Sequence, residues 1–149
     1  MRAAKNNPRI RRTRREDAAR LAELSGQLGY PASTKQMKAR LREVIRDRDG
    51  ACFVAESSEG ELAGWVHVST TPLVEVERRA EVNGLVVDEA GRSLGVGKLL
   101  LSAAEKWATG KKCKSMSVRS NVLRERAHGF YERNGYEHYK TQKAFRKSL

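Results

Sequence analysis

The spacing of apolar residues changes its period once in the first half of the chain, and this change is the strongest constraint on the fold. Before residues 49–50, apolar residues recur every three or four positions in two segments, which predicts two amphipathic helices. Thr13 with Glu16, and Ser33 with Gln36, have the spacing of capping boxes and predict the two helix starts. After residues 49–50 the apolar residues alternate, which predicts strands.

The later segments predict three consecutive strands, then a helix, a strand, a helix and a last strand. The predicted strands cover residues 52–54, 62–70, 80–87, 116–118 and 139–145, and the predicted helices cover 96–107 and 123–135. The order ααβββαβαβ is typical of a mixed α/β domain whose central, mostly antiparallel sheet is flanked by helices. We expect a basic N-terminal arm over residues 1–9 and a single domain over residues 10–149.

The formal net charge of +12 over 149 residues is unevenly distributed. Residues 1–20 and 138–149 together contribute +10, so the total charge is a weak argument for a nucleic-acid partner. Residues 50–90 carry −6, whereas residues 91–126 carry +7. The domain is therefore expected to present an acidic half and a basic half, each suited to a different partner.

The composition excludes several classes of protein. No apolar run approaches the roughly 18 residues that span a bilayer, so we expect no membrane segment. The two cysteines, Cys52 and Cys113, form no disulfide framework and have no neighbours at the spacing of metal ligands. We therefore expect no metal and a cytoplasmic location.

A glycine-containing loop joins the third predicted strand to the long helix. Gly95 and Gly97 open this helix, and Arg92 and Lys98 add positive charge on either side. The first N–H groups of a helix have no helical acceptor and bind anions, so the loop is suited to a pyrophosphate. A tight turn that packs helix against strand is the alternative interpretation of the same glycines.

The segment Arg92-x-x-Gly95-x-Gly97 resembles the pyrophosphate loop of the GNAT superfamily of acyl-CoA-dependent N-acyltransferases. The order of elements is similar to that fold, and the 127–136 segment is similar to the family's A-x-x-F-Y-x-x-x-G-Y/F helix. The resemblance implies that acetyl-CoA donates an acetyl group by direct transfer to an amine. The residues that it implies for acetyl-CoA binding are Leu85, Val86, Val87, Arg92, Ser93, Leu94, Gly95, Val96, Gly97, Lys98, Asn121, Ala127 and Tyr131.

The resemblance also implies two catalytic residues. Glu81, eleven residues before Arg92, lies where many members place a general base, and Tyr131 lies where many place the general acid. An ion pair between Glu81 and Arg79 is the structural alternative for the former, and ring packing is the alternative for Tyr131. Asn121 has a helix N-cap as its second interpretation. We expect His67 to be a surface histidine; it would approach the acceptor only if its strand face points inward.

The acidic half predicts the acceptor. Glu75, Glu77, Glu81 and Trp65 are the candidate acceptor-binding residues, and acidic groups favour a polycation such as an aminoglycoside or a polyamine. The similarity of the 120–131 segment to aminoglycoside N-acetyltransferase-like proteins supports the aminoglycoside and a role in antibiotic resistance. The alternatives are a protein or peptide amine acceptor and a nucleic-acid-binding module with a vestigial CoA site. By analogy with the family, we expect a homodimer.

Overall fold

The computed structural model describes residues 7–91 and 94–149; residues 1–6, 92 and 93 are not described. The chain divides into two compact units, 1–118 and 119–149. Each unit is considered separately below. The elements of the first unit are β1 (Arg9–Arg12), α1 (Ala18–Gln27), α2 (Thr34–Arg46), β2 (Gly50–Glu56), β3 (Leu62–Thr71), β4 (Arg79–Val87), α3 (Val96–Gly110) and β5 (Met116–Val118). The second unit contains α4 (Glu125–Arg133).

The mixed α/β fold class is confirmed, with two differences in the order of elements. The first is the additional strand β1, which pairs antiparallel with β2 from Arg9 opposite Glu56 to Arg12 opposite Phe53. Three of its four residues are arginines, a composition that favours an exposed arm over a strand. Pairing is supported by the Arg12 guanidinium, which lies 5.0 Å from the centre of the Phe53 ring.

The second difference concerns the predicted final strand over 139–145, which is wrong. Residues 134–149 are all described and contain no helix or strand. Tyr139 is 64% exposed and Phe145 is 91% exposed. The alternating apolar residues that predicted a strand are therefore exposed and do not form a buried face.

The five strands form one sheet in the order β1-β2-β3-β4-β5. The first four are antiparallel neighbours, and β5 is parallel to β4. The parallel ladder is short because it joins only Ala80 to Met116, Glu81 to Ser117 and Val82 to Val118. β4 therefore continues for five residues beyond the last residue that β5 pairs.

Helices cover both faces of this sheet. Even-numbered residues of β3 from Leu62 to Thr70 are buried, and Gly64 on that face lies against Leu100 of α3. The opposite face carries Trp65, which packs against a buried cluster that includes residues of α1 and α2. Burial of apolar side chains on both faces supplies the main stabilisation. The largest fully buried side chains of the core are Leu21, Leu24, Leu100, Leu101, Val54, Val66 and Val68.

One of the two predicted capping boxes is confirmed. The Ser33 hydroxyl accepts the Gln36 N–H at 3.1 Å, and the Gln36 side chain accepts the Ser33 N–H at 2.9 Å. The box predicted at Thr13 and Glu16 is wrong, because the Asp17 carboxylate accepts the Arg14 N–H at 2.7 Å instead. Asp17 also binds Arg11 of β1, so the start of α1 is joined to a strand that the sequence did not predict.

Candidate active site

The N-terminus of α3 is the candidate site for the pyrophosphate of acetyl-CoA. Gly95 is the N-cap with a φ of 81°, and no side chain of the described residues forms a cap hydrogen bond there. The Leu99 N–H donates to the Gly95 carbonyl at 3.2 Å, which leaves the earlier N–H groups of Val96, Gly97 and Lys98 without acceptors within the helix. Left-handed backbone of this kind strongly favours glycine.

The surroundings of this helix end fit an anion. A Cβ built on Gly95 meets no atom within 4 Å, so a ligand has room to approach its backbone. Leu94 and Lys98 are exposed, and the helix dipole adds positive potential. The predicted contacts from Arg92 and Ser93 lie outside the described residues.

A β-bulge in β4 separates two parts of the candidate site. His67 of β3 is opposite Gly84, whereas Val68 is opposite Val82, so Asn83 is the additional residue in β4. A bulge bends its strand and increases the local twist. The ladder with β5 stops at Val82, immediately before the bulge.

The three predicted backbone donors follow the bulge. Leu85, Val86 and Val87 stay paired with β3, opposite Val66, Trp65 and Gly64. β5 offers them no ladder partner, because its last pair is at Val82. Among the described residues, the sheet of the first unit therefore pairs Leu85, Val86 and Val87 on their β3 side only.

Glu81 lies on the sheet face that is covered by α1 and α2. It is half-buried and stands opposite Ser69 of β3, two positions along the same face from His67. Residues directly opposite each other in an antiparallel pair project to the same face, so Glu81, Ser69, His67 and Trp65 share one side of the sheet. The carboxylate is thus on the side where the first unit has a cavity.

This cavity has a volume of about 410 Å³ and lies between the sheet and the first two helices. Tyr30 lies between the two helices and contributes to the wall. The wall formed by α1 consists of Leu21, Ser25 and the adjoining Leu28. The wall formed by α2 consists of Met37, Arg40, Leu41 and Val44.

The sheet forms the floor of the cavity, with Cys52, Trp65, His67, Asn83 and Gly84. The Trp65 ring lies over Gly84 so closely that a Cβ there would be 2.7 Å from the ring. Asn83 donates its side-chain amide N–H to the Ser69 hydroxyl at 2.7 Å. Asn83 and Gly84 both line the cavity although they are consecutive, which is the effect of the bulge.

The two titratable side chains of the floor are neutral at pH 7. Burial lowers the pKa of His67, and the Coulombic effect of Asp47 opposes it only in part. Burial raises the pKa of Cys52 to about 11. His67 lines the cavity, so its strand face points inward.

The predicted acceptor-binding residues do not lie together. Trp65 lines the cavity, whereas Glu75 and Glu77 are exposed in the connection between β3 and β4 and are not among its lining residues. Arg40, Asn83 and Gly84 were not predicted. A glycine inside a strand pattern was the available signal for the bulge, but nothing in the spacing of α2 singled out Arg40.

The second unit contains the three remaining predicted residues. The side-chain oxygen of Asn121 accepts the Leu123 N–H at 2.9 Å. The backbone carbonyl oxygen of Asn121 lies 2.8 Å from Nε2 of His128. α4 begins at Glu125, and its N-cap is Arg124, so Asn121 forms a side-chain turn before the helix and is not its N-cap. Ala127 is half-buried on this helix.

Tyr131 lies on the same helix between two other aromatic rings. Its ring centre is 5.2 Å from that of Phe130 and 5.8 Å from that of Tyr136, with edge-to-face geometry in both pairs. Burial raises the pKa of Tyr131, and Arg124 opposes this in part. The phenol is consequently protonated at neutral pH and able to donate.

Within residues 7–91 and 94–149, no group of three His, Cys, Asp or Glu side chains is placed to hold a metal ion. The described helices are all too short or too polar to cross a membrane.

The N-terminus of α3 presents backbone N–H groups without helical acceptors, and β4 extends beyond its parallel partner β5. The sequence profile of the acetyltransferase (GNAT) family matches residues 16–136. The chain belongs to this family and is an acetyl-CoA-dependent N-acetyltransferase.

Individual relatives are similar over nearly the whole chain. An uncharacterized N-acetyltransferase, YhfO of Bacillus subtilis, is 29% identical over 133 residues, covering 86% of this chain and 89% of its own length. The aminoglycoside N(6')-acetyltransferase type 1 of Stenotrophomonas maltophilia is 27% identical over 146 residues, covering 95% and 94%. The solved structure of aminoglycoside N-acetyltransferase AAC(6')-Iy in complex with CoA has a TM-score of 0.86 at 20% identity, covering 99% of each chain. This last similarity concerns the fold.

Proposed function

We infer that this enzyme transfers the acetyl group of acetyl-CoA directly to a primary amine of a small molecule held in the cavity of the first unit. The observation that carries this inference is the arrangement of β4. Within four residues it places Glu81 and the cavity residues Asn83 and Gly84 on one face, and its next residues run past the end of β5. One strand thus serves both the amine and the acyl donor.

Glu81 is the general base of the proposed reaction. An alkyl ammonium has a pKa of about 10.4 and becomes nucleophilic only after it loses a proton. Glu81 is not among the cavity-lining residues. It is opposite Ser69 whereas Gly84 is opposite His67, so at about 3.3 Å per residue Glu81 lies about 7 Å along the sheet from Gly84. This separation favours proton transfer through an intervening water.

The remaining steps use backbone N–H groups and a phenol. An N–H group among Leu85, Val86 and Val87 stabilises the oxyanion that develops on the thioester carbonyl. The N-terminus of α3 holds the pyrophosphate through backbone N–H groups and Lys98. Tyr131, which stays protonated, returns a proton to the leaving thiolate, whose pKa is about 8.5 by analogy with cysteine.

The acceptor class that sequence similarity favours is an aminoglycoside. Its support is the name of the Stenotrophomonas maltophilia relative and the match of the 120–131 segment. A role in antibiotic resistance would follow from that acceptor. A peptide or protein amine is the second candidate, and the exposed mouth of the cavity at Tyr30 and Arg40 favours it. The homodimer and the cytoplasmic location stay predictions.

The test is release of CoA thiol from acetyl-CoA in the presence of single amines. The panel contains an aminoglycoside, a polyamine, amino acids with their amides, and a lysine peptide. Turnover with a small amine supports the proposal, and turnover with the peptide alone supports the second candidate. An absence of thiol release with every amine, together with salt-sensitive DNA binding, would overturn both in favour of a nucleic-acid-binding module.

A further inference from the structure

The cavity has a charge that does not suit a polycation. Its only side chain with a permanent charge is Arg40, and no aspartate or glutamate is among the described residues that line it. His67 adds no charge at pH 7, because burial disfavours its protonated form. A second ammonium group in this cavity would lose its hydration without meeting an anion.

Two acidic residues from the 50–90 segment are engaged elsewhere in the first unit. Glu56 forms an ion pair with Arg11, and Asp88 forms one with Arg20. Glu75 and Glu77 are exposed in the β3–β4 connection and are not among the lining residues. Glu81 of the same acidic block stands on the sheet face of the cavity, but no carboxylate of the block is among the residues that line it.

The walls of the cavity are mainly apolar, with Ser25, Tyr30 and Arg40 as their polar side chains. Leu21, Met37, Leu41 and Val44 come from the helices, and Trp65 supplies an aromatic surface from the sheet. The volume of about 410 Å³ is within the range of small-molecule sites. Burial of an apolar body of ring size against these side chains would stabilise the complex.

Arg40 is available for an anionic group. It is exposed on α2, and no acidic side chain in the described ranges forms an ion pair with it. A guanidinium binds a carboxylate with two parallel hydrogen bonds, which gives geometric specificity as well as charge complementarity. The same group repels a second cation on the acceptor.

We propose that the natural acceptor is a primary monoamine with an apolar, ring-sized body and a carboxylate, and that Arg40 selects it over polycationic amines. This proposal rests on the proposed function, since it names the substrate class of the same cavity. Met37, Leu41 and Trp65 contact the body, Arg40 holds the carboxylate, and the amine is directed toward β4. An amino acid with an apolar side chain is an acceptor of this kind.

The decisive measurement is kcat/KM for four acceptors with wild-type enzyme. Phenylalanine has the body and the carboxylate, phenylalanine amide lacks the carboxylate, and spermidine and an aminoglycoside are polycations. We expect the order phenylalanine, phenylalanine amide, polycations. A polycation as the best acceptor would overturn the proposal and leave the proposed function intact, whereas no turnover with any amine would overturn the proposed function itself.

Charge inversion at Arg40 tests the selecting residue. Arg40→Glu is expected to lower kcat/KM for phenylalanine by about tenfold while it raises that of spermidine, because attraction and repulsion are exchanged. Arg42→Glu is the matched control: it changes the same charge at an exposed position of α2 that does not line the cavity. Equal effects of the two substitutions on the ratio of the two acceptors would overturn the role of Arg40.

Binding is followed independently of turnover by the fluorescence of Trp65. Trp107 lies on α3, which packs on the other sheet face, so Trp107→Phe leaves Trp65 as the single indole. Titration of this variant with N-acetylphenylalanine, which has the body and the carboxylate but no free amine, should change the emission. The change should be lost with Arg40→Glu. An unchanged emission at millimolar concentrations would contradict an acceptor site beside Trp65.

Discussion

Nη2 of Arg20 on α1 lies 2.5 Å from Oδ2 of Asp88, the residue that follows β4. Gln27, the last residue of α1, donates its side-chain N–H to the other Asp88 oxygen at 3.3 Å and accepts the Glu89 N–H at 3.0 Å. Two side chains of α1 thus hold the segment that leads into the candidate pyrophosphate loop. The same helix lines the acceptor cavity through Leu21 and Ser25.

We predict that Asp88→Ala weakens acetyl-CoA binding about threefold to tenfold, because the loss of charged hydrogen bonds releases the start of the loop. The effect should appear in the Kd measured by calorimetry and in KM for acetyl-CoA, with little change in kcat. Glu23→Gln is the control. Glu23 is exposed and is the other acidic partner of Arg20, so this substitution removes one ion pair of Arg20 and leaves Asp88 in place. Equal Kd values for Asp88→Ala and wild type would show that the loop does not depend on α1.

A second prediction concerns the general base. Glu81→Gln should lower kcat by about 10²–10⁴-fold without changing acetyl-CoA affinity, since only proton acceptance is lost. The deficit should shrink as the pH rises toward the pKa of the acceptor amine, because the amine then loses its proton in solution. The pH profile of kcat measures this effect.

Glu59→Gln is the matched control for that experiment, since Glu59 is exposed in the β2–β3 hairpin turn, outside the candidate site. It should turn over at the wild-type rate. Near-normal turnover of Glu81→Gln at neutral pH would remove Glu81 from the mechanism.

The third prediction concerns stability in acid. Burial alone would raise the pKa of Asp17, but hydrogen bonds from Arg11 and from the Arg14 N–H outweigh it, so this pKa lies below its ordinary value. The ionised carboxylate therefore stabilises the fold at pH values above the unfolded pKa of about 4, and this contribution is lost as the pH falls through the folded pKa.

Asp17→Asn should consequently cost about 1–3 kcal/mol at pH 7 and lose less stability than wild type between pH 5 and pH 2. Urea midpoints across this range measure the difference. Glu16→Gln, at an exposed neighbouring position, should follow the wild-type curve. Parallel curves for Asp17→Asn and wild type would contradict the role of the carboxylate.

The fourth prediction concerns the close approach of β3 and β4 beneath α3. A Cβ on Gly64 would lie 2.5 Å from the Val86 carbonyl oxygen and 3.1 Å from Cδ1 of Leu100. Gly64→Ala should therefore destabilise the protein by about 1–3 kcal/mol, measured by the free energy of unfolding in urea. Gly26→Ala is the control, because a Cβ there meets nothing within 4 Å, and should raise stability by about 0.5–1 kcal/mol in this helix. A loss of the same size in both variants would contradict the packing explanation.

The sequence predicted the elements whose stabilising contacts are local or periodic. The Ser33 box, the β2–β3 hairpin and α3 depend on spacing within one segment, and each is present. β1 was missed because its strand partner β2 is distant in sequence: Arg11 binds Glu56, 45 residues later, and β2 does not alter the local pattern of four mostly basic residues.

The same distinction applies to the candidate site. The start of α3 beside Gly95 was predicted because a helix N-terminus has a local sequence signature. The mainly apolar cavity, with Arg40 as its charged side chain, was not predicted, because it depends on which face of each helix and strand meets the other. A block of acidic residues in the sequence does not determine whether their side chains project into the same cavity. Glu75 and Glu77 are not among the residues that line the cavity of the first unit.

The bulge at Asn83 has a consequence for how this enzyme could be gained or lost in evolution. Removal of this one residue would keep every other side chain of β4 on its present face, since Asn83 and Gly84 occupy the place of a single residue opposite His67. The apolar faces of β4 would therefore be preserved, but the strand would lose the bend and the extra twist between Glu81 and Leu85–Val87. A deletion of one codon would then separate folding from the proposed transfer reaction, because the amine and the acyl donor are proposed to meet along this bent strand.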